Sequence, residues 1–176
     1  MKKIAVILAA LMLVLSLTSC AGFVEEFKAA WDEATTQTFE VDEMNITLKG
    51  VFVQQDDLVE NVDAVFFSLE AQVMVSRLTY RDLGFDSEPN LTAQRMAEAY
   101  VEILDSDLEV VVEDGLVSVT DEHILDGTSM TSVYYFYTSD GAYWLVQMYC
   151  PTESFAEMQS SFNEWAGSVT FDATTF

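Results

Sequence analysis

The stretch VVVEDGLVSVTDEHILDGTSMTSVYYFYTSDGAYWLVQMYC, residues 110–150, decides the fold, because Asp-Gly interrupts it at Asp114-Gly115, Asp126-Gly127 and Asp140-Gly141. A two-residue hairpin turn needs positive φ at its central positions, which Asp and Gly tolerate, and each pair stands between runs rich in Val, Tyr and Phe. The three turns predict a four-stranded antiparallel meander with strands over about 108–113, 116–125, 128–139 and 142–150. Counting outward from the turns sets the register. Leu145 then faces Phe136, Val117 and Val112 in succession, on a side that also collects Val110, Val119, Tyr134, Tyr143 and Tyr149. The other side collects Val111, Ser118, Thr120, Val133, Tyr135, Tyr137, Trp144, Val146, Met148 and Cys150. An antiparallel sheet with one wet face alternates cleanly between apolar and polar residues. This one does not, so the prediction is an α+β fold whose antiparallel sheet is covered by helices on both faces.

The flanks supply those helices. Thr92 reads as the N-cap of a helix over about 93–104, with Leu91 placed to staple against Met96 and an apolar stripe of Met96, Ala97, Tyr100, Ile103 and Leu104. A closing helix is signalled by Ser154 and Glu157 as a capping box, by Phe155, Met158, Phe162, Trp165 and Ala166 at helical spacing, and by Gly167 as its stop. A short strand follows near Val169 to Phe171. Upstream, residues 38–53 carry two strand-like runs and residues 63–80 a strand pair. Phe23, Phe27, Ala30, Trp31 and Ala34 mark a first amphipathic helix.

Before that helix the chain reads as an export signal: Lys2 and Lys3, an apolar run from Ile4 to Leu15, then Leu17-Thr18-Ser19-Cys20. The run is too short for the roughly 20 residues of a bilayer crossing. Leu-Thr-Ser-Cys resembles the bacterial lipobox, which implies cleavage before Cys20, diacylglyceryl and palmitate chains at that residue, and anchoring at the extracytoplasmic face of a bacterial cell membrane. The expected organisation is a lipoprotein signal peptide over 1–19, a lipidated N-terminus and first helix over 20–37, and a single domain over 38–176. No long Ser/Gly tether separates helix from lipid, so the domain is expected close to its membrane.

Cleavage removes Lys2 and Lys3, two of the seven bases, and takes the formal charge from −23 to −25. That charge argues against nucleic acid and anionic lipid surfaces as partners. With 51% hydrophobic and 12% aromatic residues, the acidity is a solvated shell around a packed core rather than a mark of disorder.

The opening "F-x-V…M-x-I-x-L" (Phe39 to Leu48), the paired strands, one helix, a meander ending in GAYWLVQMYC and the closing "F-x-x-W-A-x-S-V-x-F" (Phe162 to Phe171) resemble the PsbP-like α/β/α sandwich. That family includes the Ran-binding Mog proteins and DcrB-type bacterial lipoproteins, and the last two segments are similar to stretches of small lipoproteins of Gram-positive anaerobes. The resemblance spans about residues 38–172 and is carried by core aromatics and turns. It implies an accessory, assembly or binding role and supplies no catalytic residue to carry over.

Few residues of the chain are suited to reaction chemistry. His123 is the one histidine, and Cys150 the one thiol besides Cys20. By the register His123 faces Met130 and Cys150 faces Thr131, which puts the two on opposite faces two strands apart, about 10 Å, and excludes a Cys-His dyad. Cys150 reads as a buried small hydrophobe, since no Lys or Arg lies between it and Phe176 to stabilise a thiolate. Asp105, Asp107 and Glu109 alternate as in a calcium loop, but Val110 occupies the position that needs Gly and the bidentate Glu is missing. No zinc spacing, phosphate loop or dinucleotide fingerprint occurs, so neither metal nor cofactor is expected. What remains is a surface where Ser118, Thr120, Tyr135, Tyr137 and Trp144 cluster, as in ligand pockets and protein interfaces. The function expected is a lipid-anchored extracytoplasmic accessory or binding protein, held to the membrane through Cys20, with a protein or small ligand as partner. The alternatives are a calcium-responsive acidic surface protein and, behind it, a Cys-dependent enzyme.

Overall fold

Asp114 and Asp126 have φ of 51° and 50°, and Gly115 and Gly127 have φ of 83° and 84°, as a type I′ turn requires at both central positions. They come from a computed structural model that describes residues 31, 34–55, 59, 61–82, 91–104, 106–139 and 142–172. Asp140 and Gly141 lie outside the described residues, but Ser139 pairs with Ala142 across them. The strands of the meander are β6 (Val110–Glu113), β7 (Leu116–Leu125), β8 (Thr128–Ser139) and β9 (Ala142–Pro151). Their register is the one the turns dictate: Val112 faces Val117, His123 faces Met130, Phe136 faces Leu145 and Thr131 faces Cys150.

The meander is part of a larger sheet. The strand-like runs before it form β1 (Thr36–Val41), β2 (Met44–Lys49), β3 (Val53–Gln55), β4 (Ala64–Phe67) and β5 (Gln72–Leu78). Counting from the turns cannot show that β5 pairs antiparallel with β9 along its whole length, from Gln72 with Tyr149 to Leu78 with Tyr143. The seven-stranded order is β3-β4-β5-β9-β8-β7-β6, and β1, β2 and the last strand, β10 (Thr170–Phe171), form a second sheet in the order β1-β2-β10. β9 is thus central as well as covered, which accounts for its nearly unbroken apolar run.

Helix α1 (Ala93–Ile103) lies on one face, where Leu91, Met96 and Ala97 pack with Val117, Val119, Phe136, Tyr143 and Leu145. The Thr92 hydroxyl accepts from the Arg95 amide, the N-cap bond that its sequence predicts. Tyr100 packs its ring 5.6 Å from that of Tyr134 and 5.5 Å from that of Phe136. Ile103 and Leu104 do not complete the stripe: each is 51% exposed, at the turn where the helix stops. On the opposite face, α2 (Phe155–Gly167) buries Met158, Phe162, Trp165 and Ala166, and the small sheet shares the cover. Phe39 meets Phe66, Phe52 meets Trp165, and Phe171 meets both Tyr137 and Trp144. Helices on both faces hold, with β1-β2-β10 added to one side.

Both ends of α2 differ from expectation. Ser154 makes no side-chain cap bond, because Thr152–Ser154 is already a 3₁₀ turn and Ser154 has helical φ and ψ of −93° and −10°. A capping side chain works from an extended backbone, and the extended residue is Pro151, with φ −53° and ψ 136°. Gly167 stays inside the helix. Ser168 ends it, its hydroxyl accepting from the Thr47 amide at 2.9 Å and donating to the Trp165 carbonyl at 2.6 Å, so the helix end is tied to β2. The chain divides into units of Met1–Thr35 and Thr36–Phe176. In the first unit only Trp31, Ala34 and Thr35 are described. The signal peptide, Cys20 and most of the expected first helix lie outside the described residues.

Candidate binding groove

Three of the five residues singled out as a binding face meet in one groove. Ser118 and Thr120 of β7 and Tyr135 of β8 line a concavity of about 510 Å³ between the sheet and α2. The hairpin register places them side by side, since Ser118 pairs with Tyr135 and Thr120 with Val133. Val111 and Leu116 continue the sheet wall, and α2 contributes Phe155, Gln159 and Asn163. Tyr135 is buried, and its hydroxyl donates to Asn163 Oδ1 at 2.7 Å, joining wall to helix. Burial pushes the Tyr135 phenol above its ordinary range, so it stays a neutral hydrogen-bond donor at physiological pH.

Tyr137 and Trp144 do not join them. The Tyr137 hydroxyl donates to the Ala166 carbonyl at 2.9 Å, and Trp144 is fully buried with its Nε1–H donating to Ser139 Oγ at 3.1 Å. Trp144 belongs to the core and Tyr137 is half-buried, and both have their polar atoms satisfied locally, as buried Tyr and Trp generally are. The sequence reading missed the helix side of the groove. Its signal is the four-residue spacing of Phe155, Gln159 and Asn163, a stripe one face over from the core stripe. Phe155, assigned to the core by spacing, is only half-buried and lines the groove instead.

The reactive candidates stand apart. Cys150 is fully buried on the α2 face, and desolvation, with Glu70 adding to it, pushes its thiol up to about 11. His123 lies on the α1 face, its Nδ1 3.6 Å from Asp121 Oδ2. Among the described residues no group of three or more His, Cys, Asp and Glu side chains is arranged to hold a metal ion. Asp105 of the calcium-like triplet lies outside the described residues.

The buried thiol makes a prediction with a definite sign. Cys150 rises from 9.0 to about 11 and Tyr100 from 10.0 to about 12, the latter by burial first and then by Tyr134 and Asp121. Folded chains therefore keep protons that unfolded chains release, so stability is whole below about pH 9 and falls as pH rises through 11. Urea midpoints measured from pH 8 to 11 should decline, and the decline should be shallower in Cys150→Ala. At pH 8 an alkylating reagent should label Cys150 only after denaturation. Prompt labelling of the native chain would contradict the burial argument.

No protein-family model and no curated protein matches this chain. Solved structures show the fold, which is PsbP/Mog1-like. Cyanobacterial PsbP from Synechocystis is similar with a TM-score of 0.50 at 17% identity, over 79% of this chain and 94% of that one. The Ran-binding protein Mog1p of Saccharomyces cerevisiae is similar with a TM-score of 0.51 at 9% identity, over 79% of this chain and 96% of that one. A Bacteroides thetaiotaomicron structure gives a TM-score of 0.55 at 10% identity over 81% of this chain, which spans 50% of its length. At such identities the likeness is one of fold, and function rests on the site.

Proposed function

We propose that this chain is a non-catalytic binding protein, lipid-anchored through Cys20 at the extracytoplasmic face of a bacterial membrane, and that the groove between the sheet and α2 is its binding surface. One observation carries the reading: hydroxyl, amide and apolar side chains converge in a concavity of about 510 Å³, within the roughly 300–1,000 Å³ typical of ligand sites. The rest of the molecule is consistent with it. His123 and Cys150 are on opposite faces of the sheet, so no nucleophile-base pair assembles from them. Among the described residues no helix is long and apolar enough to cross a membrane.

Blocking the groove tests the binding half. Gln159 lines the groove and is exposed, so Gln159→Arg is expected to leave the melting temperature within about 2 °C, in line with other surface changes. The same change fills the groove, and a partner that cross-links to the native chain in its own envelope should be lost. Retention of that partner at undiminished yield would remove the groove from consideration. Turnover of any substrate that depends on His123 or Cys150 would overturn the non-catalytic reading.

A further inference from the structure

β6 is the outer strand of the seven-stranded sheet, and among the described strands only β7 pairs with it. Its outward hydrogen-bonding groups follow from the register. In a two-residue hairpin the pair flanking the turn, here Glu113 with Leu116, exchanges both backbone bonds, and bonded and non-bonded pairs then alternate. Val111 with Ser118 is thus a bonded pair, and the N–H and C=O groups of Val110 and Val112 point away from the sheet. Edge strands are commonly protected by Lys, Pro or a bulge. β6 reads Val-Val-Val-Glu, with Val111 43% and Val112 56% exposed.

The binding groove opens on this same edge. Val111 forms its outer wall, and Glu113, Asp114 and Glu164 stand among its lining, in which no Lys or Arg occurs among the described residues. A second copy of this chain is a poor occupant, because it brings a formal charge of −23, or −25 once processed, against a rim of the same sign. The complementary occupant is cationic, extended and partly apolar.

We infer that a basic, extended peptide segment of a partner protein binds by adding a strand to β6, an inference that rests on the groove being the binding surface. Backbone bonds to Val110 and Val112 supply affinity that does not depend on sequence, and alternate side chains are read by what lies beside the strand. One apolar side chain sits against Val111, Leu116 and Phe155, and flanking Lys or Arg side chains meet Glu113, Asp114 and Glu164.

The test uses the full chain in detergent micelles and an acetylated eight-residue peptide of alternating Lys and Val, with an alternating Glu and Val peptide as control. Saturable binding of the lysine peptide alone is expected, weakening as salt rises, with the Val110 and Val112 amides slowed in hydrogen exchange. Val112→Pro removes an outward N–H without touching the β6–β7 ladder, and should weaken binding about tenfold or more. Should that variant fold poorly, the exposed pair Glu113→Lys and Glu164→Lys gives an independent reading, with a loss of similar size expected. The inference is overturned by the absence of saturable binding, by equal binding of the two peptides, or by bound peptide that leaves Val110 and Val112 unprotected. If Gln159→Arg expels the natural partner while Val112→Pro retains it, the groove stands and strand addition falls. Retention by both variants removes the groove itself.

Discussion

Trp144→Ala is expected to destabilise the Thr36–Phe176 unit by about 3–5 kcal/mol, the usual cost of emptying a buried aromatic site. Trp144 is fully buried in the central strand β9, its ring 5.8 Å from Phe171 and 5.9 Å from the Arg77 guanidinium. Removing it takes away one of the two ring contacts that hold Phe171 of β10 against the large sheet and leaves Ser139 without its indole partner. For a domain of this size the loss corresponds to a Tm lower by roughly 10–20 °C. Arg77→Ala provides the comparison, since its 3.5 Å pair with Glu43 is partly solvated and its guanidinium over the Trp144 ring is half exposed, so that each contact contributes under about 1 kcal/mol. Thermal or urea unfolding decides the matter: a Trp144→Ala loss no larger than that of Arg77→Ala would mean the ring is not part of the core.

Cys20→Ala carries the largest expected change in behaviour. Lipid chains contribute about 0.8 kcal/mol per buried methylene, so two palmitoyl-length chains amount to on the order of 20 kcal/mol of membrane affinity. Expressed in a bacterium that processes lipoproteins and fed a clickable palmitate analogue, the native chain should carry the label and enter the detergent phase on cloud-point partitioning. Cys20→Ala should carry none. Cys150→Ala should label like the native chain, since Cys150 is fully buried in the fold. Label on Cys20→Ala, or none on the native chain, would dismiss the anchor.

Much of the fold is legible in residues 110–150 because the physics there is local. Asp114-Gly115 and Asp126-Gly127 turn the chain within two residues, and once the turn is set, alternation assigns every side chain to a face. The N-cap at Thr92 is equally local. Ser154 and Gly167 show the limit of such motifs, since a 3₁₀ turn before α2 and the tie from Ser168 to β2 displaced both caps. The groove was half legible. Ser118, Thr120 and Tyr135 share a face by register, whereas Phe155, Gln159 and Asn163 enter only because of how α2 is set against that face. Tyr137 and Trp144, on the same face, are capped by Phe171 from β10, a contact that no sequence period announces.

By itself, then, the sequence determined the meander, its register, the two apolar faces and the helical segments, because turn conformation and side-chain alternation act over a few residues. Tertiary structure decided that β5 closes on β9, that a second sheet shares one face with α2, and where the groove opens. Those choices depend on pairings such as Gln72 with Tyr149 and Asn45 with Thr170. Their partners lie far apart along the chain, and any apolar strand with a free edge competes for them. The winner is set by how all the surfaces pack at once, which no single segment records.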